Sequence, residues 1–405
     1  MHLRALRIEN FRNLREVALE PHPRFNVLSG DNGQGKTNLL EAVYILATLR
    51  SFRTPRIDEL IRIDRDVQGA EHAVTASLRA RVERLGTERL LGVDMSKAEG
   101  KTARVDGKAA RAVDYFGGVN AVLFAPDDLR LPKGPPSGRR RLLDRAVWNA
   151  TPSFLPEAQT YERVLRSRNA LLRQGQKESL KDSGAANPAL LDVYDQQLAA
   201  AGAVLTVRRR AYLEWLEPLF VAAFERVSQS GLRAGLRYHV SGQLRRAALA
   251  AKPEATAPDA PAPTANRPSE SAHDAQALLT QLQRDRPRDL ARGFTHHGPH
   301  ADDLEFQLNG EDAAPYASQG QLRALVLAFK IAEIRLLLAR LSDTPVLLLD
   351  DVSSELDAAR NQNLFDFLQE VPCQAFITTT SAAFIKLFDG RRDYRVQGGF
   401  IDAVG

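Results

Sequence analysis

Hydrophobic and polar positions repeat with two different periods along this chain, and the changes of period mark its segments. Leu3 to Ile8 alternates as a strand, and Val17-Ala18-Leu19 is placed to pair back on it. Phe25-Asn26-Val27-Leu28 reads as a short buried strand. From Thr37 to about Leu49 the period becomes helical, with Leu39, Leu40, Val43 and Leu46 on one face and Pro55 beyond the end. Residues 73 to 115 return to short antiparallel strands, with Asp106-Gly107 as a hairpin turn. Val122-Leu123-Phe124 is a further apolar strand. Residues 138 to about 228 are long, charged and helically periodic. Residues 249 to 273 are rich in Ala and Pro and poor in large apolar side chains, the composition of a flexible linker. Leu304, Phe306 and Leu308 alternate as a strand before the hairpin signal Asn309-Gly310. Ser318-Gln319-Gly320-Gln321 then opens an apolar helix that runs to about Leu341. Val346-Leu347-Leu348-Leu349 is apolar throughout and ends in Asp350-Asp351, as buried parallel strands do. Ser353 to Asp357 caps a helix, and Ala375 to Thr379 is the last central strand.

These elements predict an α/β chain with mixed sheets around one central helix and an inserted, mainly helical second lobe. The predicted boundaries are 1–128 and 342–405 for the first lobe and 129–341 for the second, with 249–273 as a flexible insert. At 405 residues and 44% hydrophobic content the chain can bury a large core. A formal charge of +5 favours an anionic partner over a neutral one. The single cysteine, Cys373, excludes an intrachain disulfide framework and fits a reducing, cytoplasmic setting. The first residues alternate charged and apolar positions, so no signal peptide is expected. Leu322 to Leu341 is the most apolar stretch, and Arg323, Lys330, Glu333 and Arg335 interrupt it, so no membrane partner is expected.

The candidate chemistry centres on Gly30-Asp31-Asn32-Gly33-Gln34-Gly35-Lys36-Thr37, which fits the P-loop pattern between a strand and a helix. Its glycines let backbone N–H groups close on phosphate oxygens, and the following helix turns its positive end toward them. Lys36 is placed to reach the β- and γ-phosphates, and the Thr37 hydroxyl to bind Mg²⁺. Leu347 to Asp350 reads as the accompanying Walker B strand, with Asp350 holding Mg²⁺ through its water shell. Asp351 stands where a general base aligns the attacking water, and it also suits a helix cap. Aspartate is one methylene shorter than glutamate, which suggests slow ATP hydrolysis and a switch rather than a motor. Ser318, Gly320 and Gln321 together make an anion site at a helix N-terminus, or a plain cap. In ATP-binding-cassette enzymes such a signature turn faces the γ-phosphate held by a second subunit.

Taken in order, Ile8-Glu9-Asn10-Phe11-Arg12-Asn13, the P-loop, Ser51-Phe52-Arg53-Thr54, Phe124-Ala125-Pro126-Asp127-Asp128-Leu129, Gly298-Pro299-His300, Ser318–Gln321, Leu348–Asp351 and Ser354–Asp357 span nearly the whole chain. This set closely resembles the RecF family of bacterial recombinational-repair proteins, whose heads are of the ATP-binding-cassette type related to structural-maintenance-of-chromosomes proteins. The resemblance implies an ATP- and Mg²⁺-dependent homodimer that binds DNA at gaps or single-strand/double-strand junctions. It also implies help in loading recombinase with recombination-mediator partners during replication, repair and the SOS response, and a weak DNA-stimulated ATPase. By the same resemblance Ser354 to Asp357 is a D-loop at the dimer interface, and Phe124 to Leu129 lies near the Q-loop position, although no glutamine stands there. Thr378 and Thr379 take the place of the usual switch histidine, and Ala301 follows Gly-Pro-His where the family commonly has Arg.

Arg139, Arg140 and Arg141, with Arg208, Arg209 and Arg210, are candidates for a DNA-backbone track, or solvated helix faces. No aromatic stacking array accompanies them, which favours duplex over single-stranded DNA. Arg53 is a candidate phosphate contact or a surface arginine. His296, His297 and His300 match no zinc spacing. The alternatives are a transporter-type cassette, which is shorter and keeps its Q-loop glutamine, and a small-molecule P-loop kinase, which needs no signature turn.

Overall fold

The computed structural model describes residues 1–63, 75–179, 187–242, 268–341, 344–351, 356–387 and 389–404. The first third runs β1 (His2–Phe11), β2 (Leu14–Leu19), β3 (Phe25–Ser29), α1 (Lys36–Thr48), β4 (Thr75–Arg84), β5 (Thr87–Ser96), β6 (Gly100–Val105), β7 (Lys108–Ala110), α2 (Ala112–Tyr115) and β8 (Ala121–Phe124). The middle carries α3 (Pro136–Ala150), α4 (Phe154–Ser179), α5 (Pro188–Ser228), β9 (Ala234–His239) and α6 (Pro268–Arg292). Next come β10 (Asp303–Leu308), β11 (Glu311–Asp312), α7 (Ala313–Tyr316) and α8 (Gln319–Leu341). The last part holds β12 (Val346–Leu349), α9 (Ala358–Glu370), β13 (Ala375–Thr379), β14 (Arg391–Gln397) and β15 (Phe400–Val404).

Two compact units result. Unit one comprises Met1–Arg130, Arg226–Gln229 and Val326–Gly405, and unit two comprises Leu131–Glu225 and Ser230–Leu325.

Unit one contains two sheets. An antiparallel sheet has the order β2-β1-β4-β5-β6-β7, and the second has the order β15-β14-β3-β13-β12-β8. In the second sheet β14, β3, β13, β12 and β8 are mutually parallel, and every residue of β8, β12 and β13 is buried. Strands covered on both faces need continuous apolar runs, which Ala121–Phe124 and Val346–Leu349 supply. The helical face expected for α1 is buried, but so is nearly all of its circumference, from Leu39 through Thr48. The helix is enclosed in one core with side chains from both sheets, among them Ile8, Leu78, Val93, Val346 and Leu348. That environment calls for apolar residues all round.

Unit two joins the long helices to the sheet β11-β10-β9. Asn309 and Gly310 both have positive φ, 52° and 85°, as a two-residue primed hairpin turn requires. The helices are pinned by a fully buried arginine. Arg168 of α4 donates to Asp195 of α5 at 2.6 Å and to Asp289 of α6 at 2.7 Å. It also donates to Thr295 at 2.7 Å. Buried charges persist only when paired, so this triad fixes how the three helices pack.

Two sequence expectations change. The predicted second lobe ran to residue 341, yet Val326 to Leu341 of α8 belongs to unit one. Leu325 through Phe329 are each fully buried, and Leu327, Ile331 and Ile334 line one small apolar cavity with residues of β8, β12 and α9. Most of this stretch is apolar, and its two buried charges, Lys330 and Glu333, lie 3.5 Å from each other, so the body of the helix is drawn into that core. The insert read as 249–273 also ends earlier. Residues 249–267 lie outside the described set, whereas Pro268 to His273 open α6. Proline is well suited to the first helical position, where its missing N–H costs nothing, so composition alone misread this start as linker.

Candidate nucleotide site

The P-loop follows β3 and delivers the chain to α1 through Gly35, whose φ of 119° makes it a left-handed cap. Lys36 is the first residue of α1 and is 6% exposed. Its ammonium lies inside the loop, donating to the carbonyls of Gly30 at 2.5 Å and Asp31 at 2.9 Å. Burial lowers its pKa, and the carboxylates of Asp351, Asp350 and Asp31 counter that.

The Walker B strand closes the other side. Thr37 Oγ1 donates to Asp350 Oδ1 at 2.8 Å, across 313 positions of sequence. The Asp350 backbone N–H is held by the Phe124 carbonyl at 2.9 Å. Burial raises the Asp350 pKa, Asp351 adds to the rise, and hydrogen bonds from Thr37 and Thr378 and the charge of Arg53 oppose it. A hydroxyl and one carboxylate beside a phosphate cradle are the hard oxygen donors from which Mg²⁺ sites in phosphate-binding proteins are built, so the residues fit that ion. A cation there would also favour the ionised carboxylate. Asp351 has φ 47° and its N–H donates to Thr378 Oγ1 at 2.9 Å.

A second cluster braces α1 through Glu41. Glu41 is fully buried, yet it accepts Arg12 Nε at 3.0 Å and Arg12 Nη2 at 2.9 Å in a bidentate pair. Ser51 Oγ adds a third bond at 2.5 Å. Arg53 Nη1 lies 3.5 Å from Glu41 and donates to Asn38 Oδ1 at 2.8 Å. This accounts for two of the sequence motifs: Ile8–Asn13 and Ser51–Thr54 meet on one carboxylate of the P-loop helix. Arg53 is half exposed, and its charge reaches Asp350.

The signature turn lies in unit two. Ser318 Oγ accepts the Gln321 N–H at 3.2 Å, while Gln321 Oε1 accepts the Ser318 N–H at 2.8 Å. This is a reciprocal capping box at the start of α8.

A profile of the RecF/RecN/SMC N terminal domain family matches residues 2–397. The DNA replication and repair protein RecF of Anaeromyxobacter dehalogenans is 44% identical over 411 residues, covering 100% of both chains. The protein of the same name from Geobacter sulfurreducens is 39% identical over 408 residues, again covering 100% of both. The chain belongs to the RecF family. The solved structure of the recombination mediator protein RecF with ATP, in the RecFOR pathway, matches this RecF-family chain with a TM-score of 0.81 at 27% identity, over 100% of this chain and 98% of that one. An Smc head domain from Pyrococcus furiosus gives 0.53 at 14% identity over 100% and 96%, which speaks to the fold alone. The expected P-loop head of the ATP-binding-cassette type, related to structural-maintenance-of-chromosomes heads, is therefore the fold of this RecF-family chain.

Five of the six arginines expected as a DNA-backbone track on this RecF-family chain have partners within unit two. Arg139 makes a bidentate pair with Asp303 at 2.9 and 2.8 Å. Arg140 donates to the Asp302 carbonyl at 2.6 Å. Arg208 is paired with Glu157, Arg209 is buried against Asp144, and Arg210 bonds Asp274. Five of the six spend their donors on unit two itself, and Arg141 alone of the six is exposed. Arginine runs on helices read as basic patches when the carboxylates that meet them are distant in sequence. Gly298-Pro299-His300 is likewise a packing element: His300 Nδ1 meets Tyr161 Oη at 2.6 Å, and Arg209 donates to the Pro299 carbonyl at 2.8 Å. Of the predicted D-loop, residues 354 and 355 lie outside the described set; Asp357 caps α9 by accepting the Arg360 N–H at 2.9 Å.

Two residues that the sequence marks by position alone, Thr378 and Asn13, hold the site. Thr378 Oγ1 donates to the Asp350 carboxylate and accepts the Asp351 backbone N–H, each at 2.9 Å, so it braces the side chain of one and the main chain of the other from the position expected of a switch histidine. Asn13 Nδ2 donates to the Gln34 carbonyl of the P-loop at 3.0 Å. Their sequence signal was place alone, Asn13 in the turn between β1 and β2 and Thr378 near the end of β13, and it named no partner for either.

Proposed function

We propose that this RecF-family chain is an ATP-dependent DNA-binding protein of replication and recombinational repair. Gly30 to Thr37 hold the phosphates of ATP, Thr37 and Asp350 hold Mg²⁺, and Arg53 adds a positive charge on the phosphate side. A second copy of the chain brings Ser318, Gly320 and Gln321 to the γ-phosphate, so ATP joins the two copies. The joined homodimer binds duplex DNA beside gaps or junctions and helps load recombinase with recombination-mediator partners. Asp351 accepts the proton of the attacking water in a slow, DNA-stimulated hydrolysis that opens the dimer again.

The observation that carries the nucleotide part is the Thr37–Asp350 bond, which brings Walker A and Walker B together at the mouth of the loop. Family membership supports the repair role. No helix among the described residues is long and apolar enough to cross a membrane. Sedimentation of the protein with Mg²⁺, with Mg²⁺ and ATP, and with both plus a gapped duplex tests the reading. The expected result is a monomer that dimerises only with ATP and then binds the duplex with steep salt dependence. A monomer under all three conditions would leave an ordinary P-loop enzyme as the better account.

Asp351→Asn isolates the base. Asparagine tolerates the left-handed backbone at this position and keeps the N–H that Thr378 accepts, so the fold is retained. ATP turnover is expected to fall by about a hundredfold or more, with the ATP dimer accumulating in sedimentation. Wild-type turnover in this variant would remove Asp351 from the proposed role.

A further inference from the structure

The P-loop is gripped from outside by two hairpins, of which only the first falls in a motif named from the sequence. One is the β1–β2 turn at Asn13. The other is the β14–β15 turn at Gly398-Gly399, where Gly398 lies 364 positions beyond Gln34 of the loop. Gly399 N–H donates to the Gln34 carbonyl at 3.0 Å, and Asn13 Nδ2 donates to the same carbonyl at 3.0 Å. Asn13 Nδ2 is also 3.5 Å from the Gly33 carbonyl. Gly398 N–H donates to the Gln34 side-chain oxygen at 2.6 Å. Asn38 of α1 holds the other end of the Asn13 amide at 2.7 Å, and Arg62 holds the Asn13 carbonyl at 2.7 Å.

A trans peptide is planar, and its C=O and N–H point in opposite directions. Carbonyls 33 and 34 are drawn outward to Asn13 and the hairpin, so the N–H groups of Gln34 and Gly35 are turned inward, to the side of the loop where Lys36 lies. Packing leaves the hairpin little slack. A Cβ at Gly399, where φ is 84°, would overlap the Asn13 carbonyl oxygen, and one at Gly30 would overlap the Val396 carbonyl oxygen of β14.

We propose that the Gly398-Gly399 hairpin tip and Asn13 are positioning residues that set the affinity of this chain for the phosphates of a nucleotide by fixing the direction of the Gln34 and Gly35 N–H donors. The proposal rests on the nucleotide reading above. It adds that the phosphate site is completed by backbone from the far end of the chain, and that it is tuned without any contact between these residues and the ligand.

The test uses the full chain, with a fluorescent ATP analogue as reporter and ATP and inorganic pyrophosphate as competitors. Gly399→Ala and Asn13→Ala are each expected to weaken both competitors about tenfold, the loss of one well-placed donor. The double variant is expected to lose less than the product of the two, because both act on one carbonyl. Phe400→Ala keeps the backbone of the hairpin and removes only an exposed ring, so it is expected to bind as the parent does. Asn13→Ala adds no atom, and it carries the test if Gly399→Ala fails to fold. Unchanged affinities in Asn13→Ala overturn the proposal. So does a loss for ATP without a matching loss for pyrophosphate, because the effect would then lie at the base or sugar. A parent chain that binds neither competitor overturns the nucleotide reading itself, and the proposal with it.

Discussion

Lys36→Ala is expected to lose at least a hundredfold in ATP affinity, about 2.8 kcal/mol, measured by titration calorimetry or by displacement of a fluorescent analogue. The size follows from where the ammonium sits. It is nearly buried, and it donates to two carbonyls, those of Gly30 and Asp31, that face into the loop. Without it, a polyanion entering the cradle meets two acceptor oxygens, with Asp350 and Asp351 close enough to act on the same position. The loss is therefore more than one missing attraction, because the remaining field opposes the ligand. Stability should hardly change, since alanine is a good residue for the first turn of α1. A folded Lys36→Ala protein that binds ATP within tenfold of the parent would show that the phosphates are held elsewhere.

Ser318→Arg is expected to separate binding from assembly. The turn is exposed and belongs to the unit that does not contain the P-loop, so ATP affinity should stay within about twofold of the parent. ATP-dependent dimerisation should be lost, with the dimer dissociation constant raised at least about thirtyfold. Two effects contribute. The arginine stem fills the place where a partner's phosphate would approach the helix, and the capping box through Ser318 Oγ and Gln321 is broken. Ser318→Ala distinguishes them, because it removes the cap hydroxyl and adds no bulk. The missing cap costs about 1 kcal/mol and leaves the buried body of α8 in place. Sedimentation at saturating ATP decides the matter. If Ser318→Arg dimerises as the parent does, the turn is a helix cap and the γ-phosphate of a partner is read by other residues.

The contrast between these residues and the arginine runs shows what sequence can carry. Gly30 to Thr37 and Leu347 to Asp351 are contiguous, and their chemistry depends on spacing within a few residues, so both the loop and the strand end were legible. Apolar runs likewise foretold β3, β8, β12 and β13, because strands covered on both faces are mostly apolar, and the polar residues they keep, such as Asn26 and Thr378, are hydrogen-bonded. Partnership across long separations left no such trace. Arg209 looks like part of a basic run until Asp144, 65 positions away, is found against it. Glu41 sits among apolar residues of α1, and nothing local says that Arg12, Ser51 and Arg53 converge on it. Thr378 is noticed in the sequence only as standing where a switch histidine is expected: a threonine at a strand end is ordinary until the Asp350 carboxylate and the Asp351 N–H are found on its hydroxyl. Period alone also could not tell that α8 changes allegiance between units at Val326, since its apolar positions continue across that point without a break.

The strand order around β3 has a consequence for synthesis. Its two neighbours are β13 and β14, and the earlier of them begins at Ala375. When Phe25–Ser29 leaves the ribosome, neither flanking strand has been made, and at ordinary elongation rates the wait is on the order of half a minute. Nearly all of unit two, which ends at Leu325, emerges in that interval with its own helices and sheet complete. A nascent chain thus contains every residue of unit two before either neighbour of β3, and a product that stops short of Ala375 lacks both strands that flank the one leading into the phosphate loop.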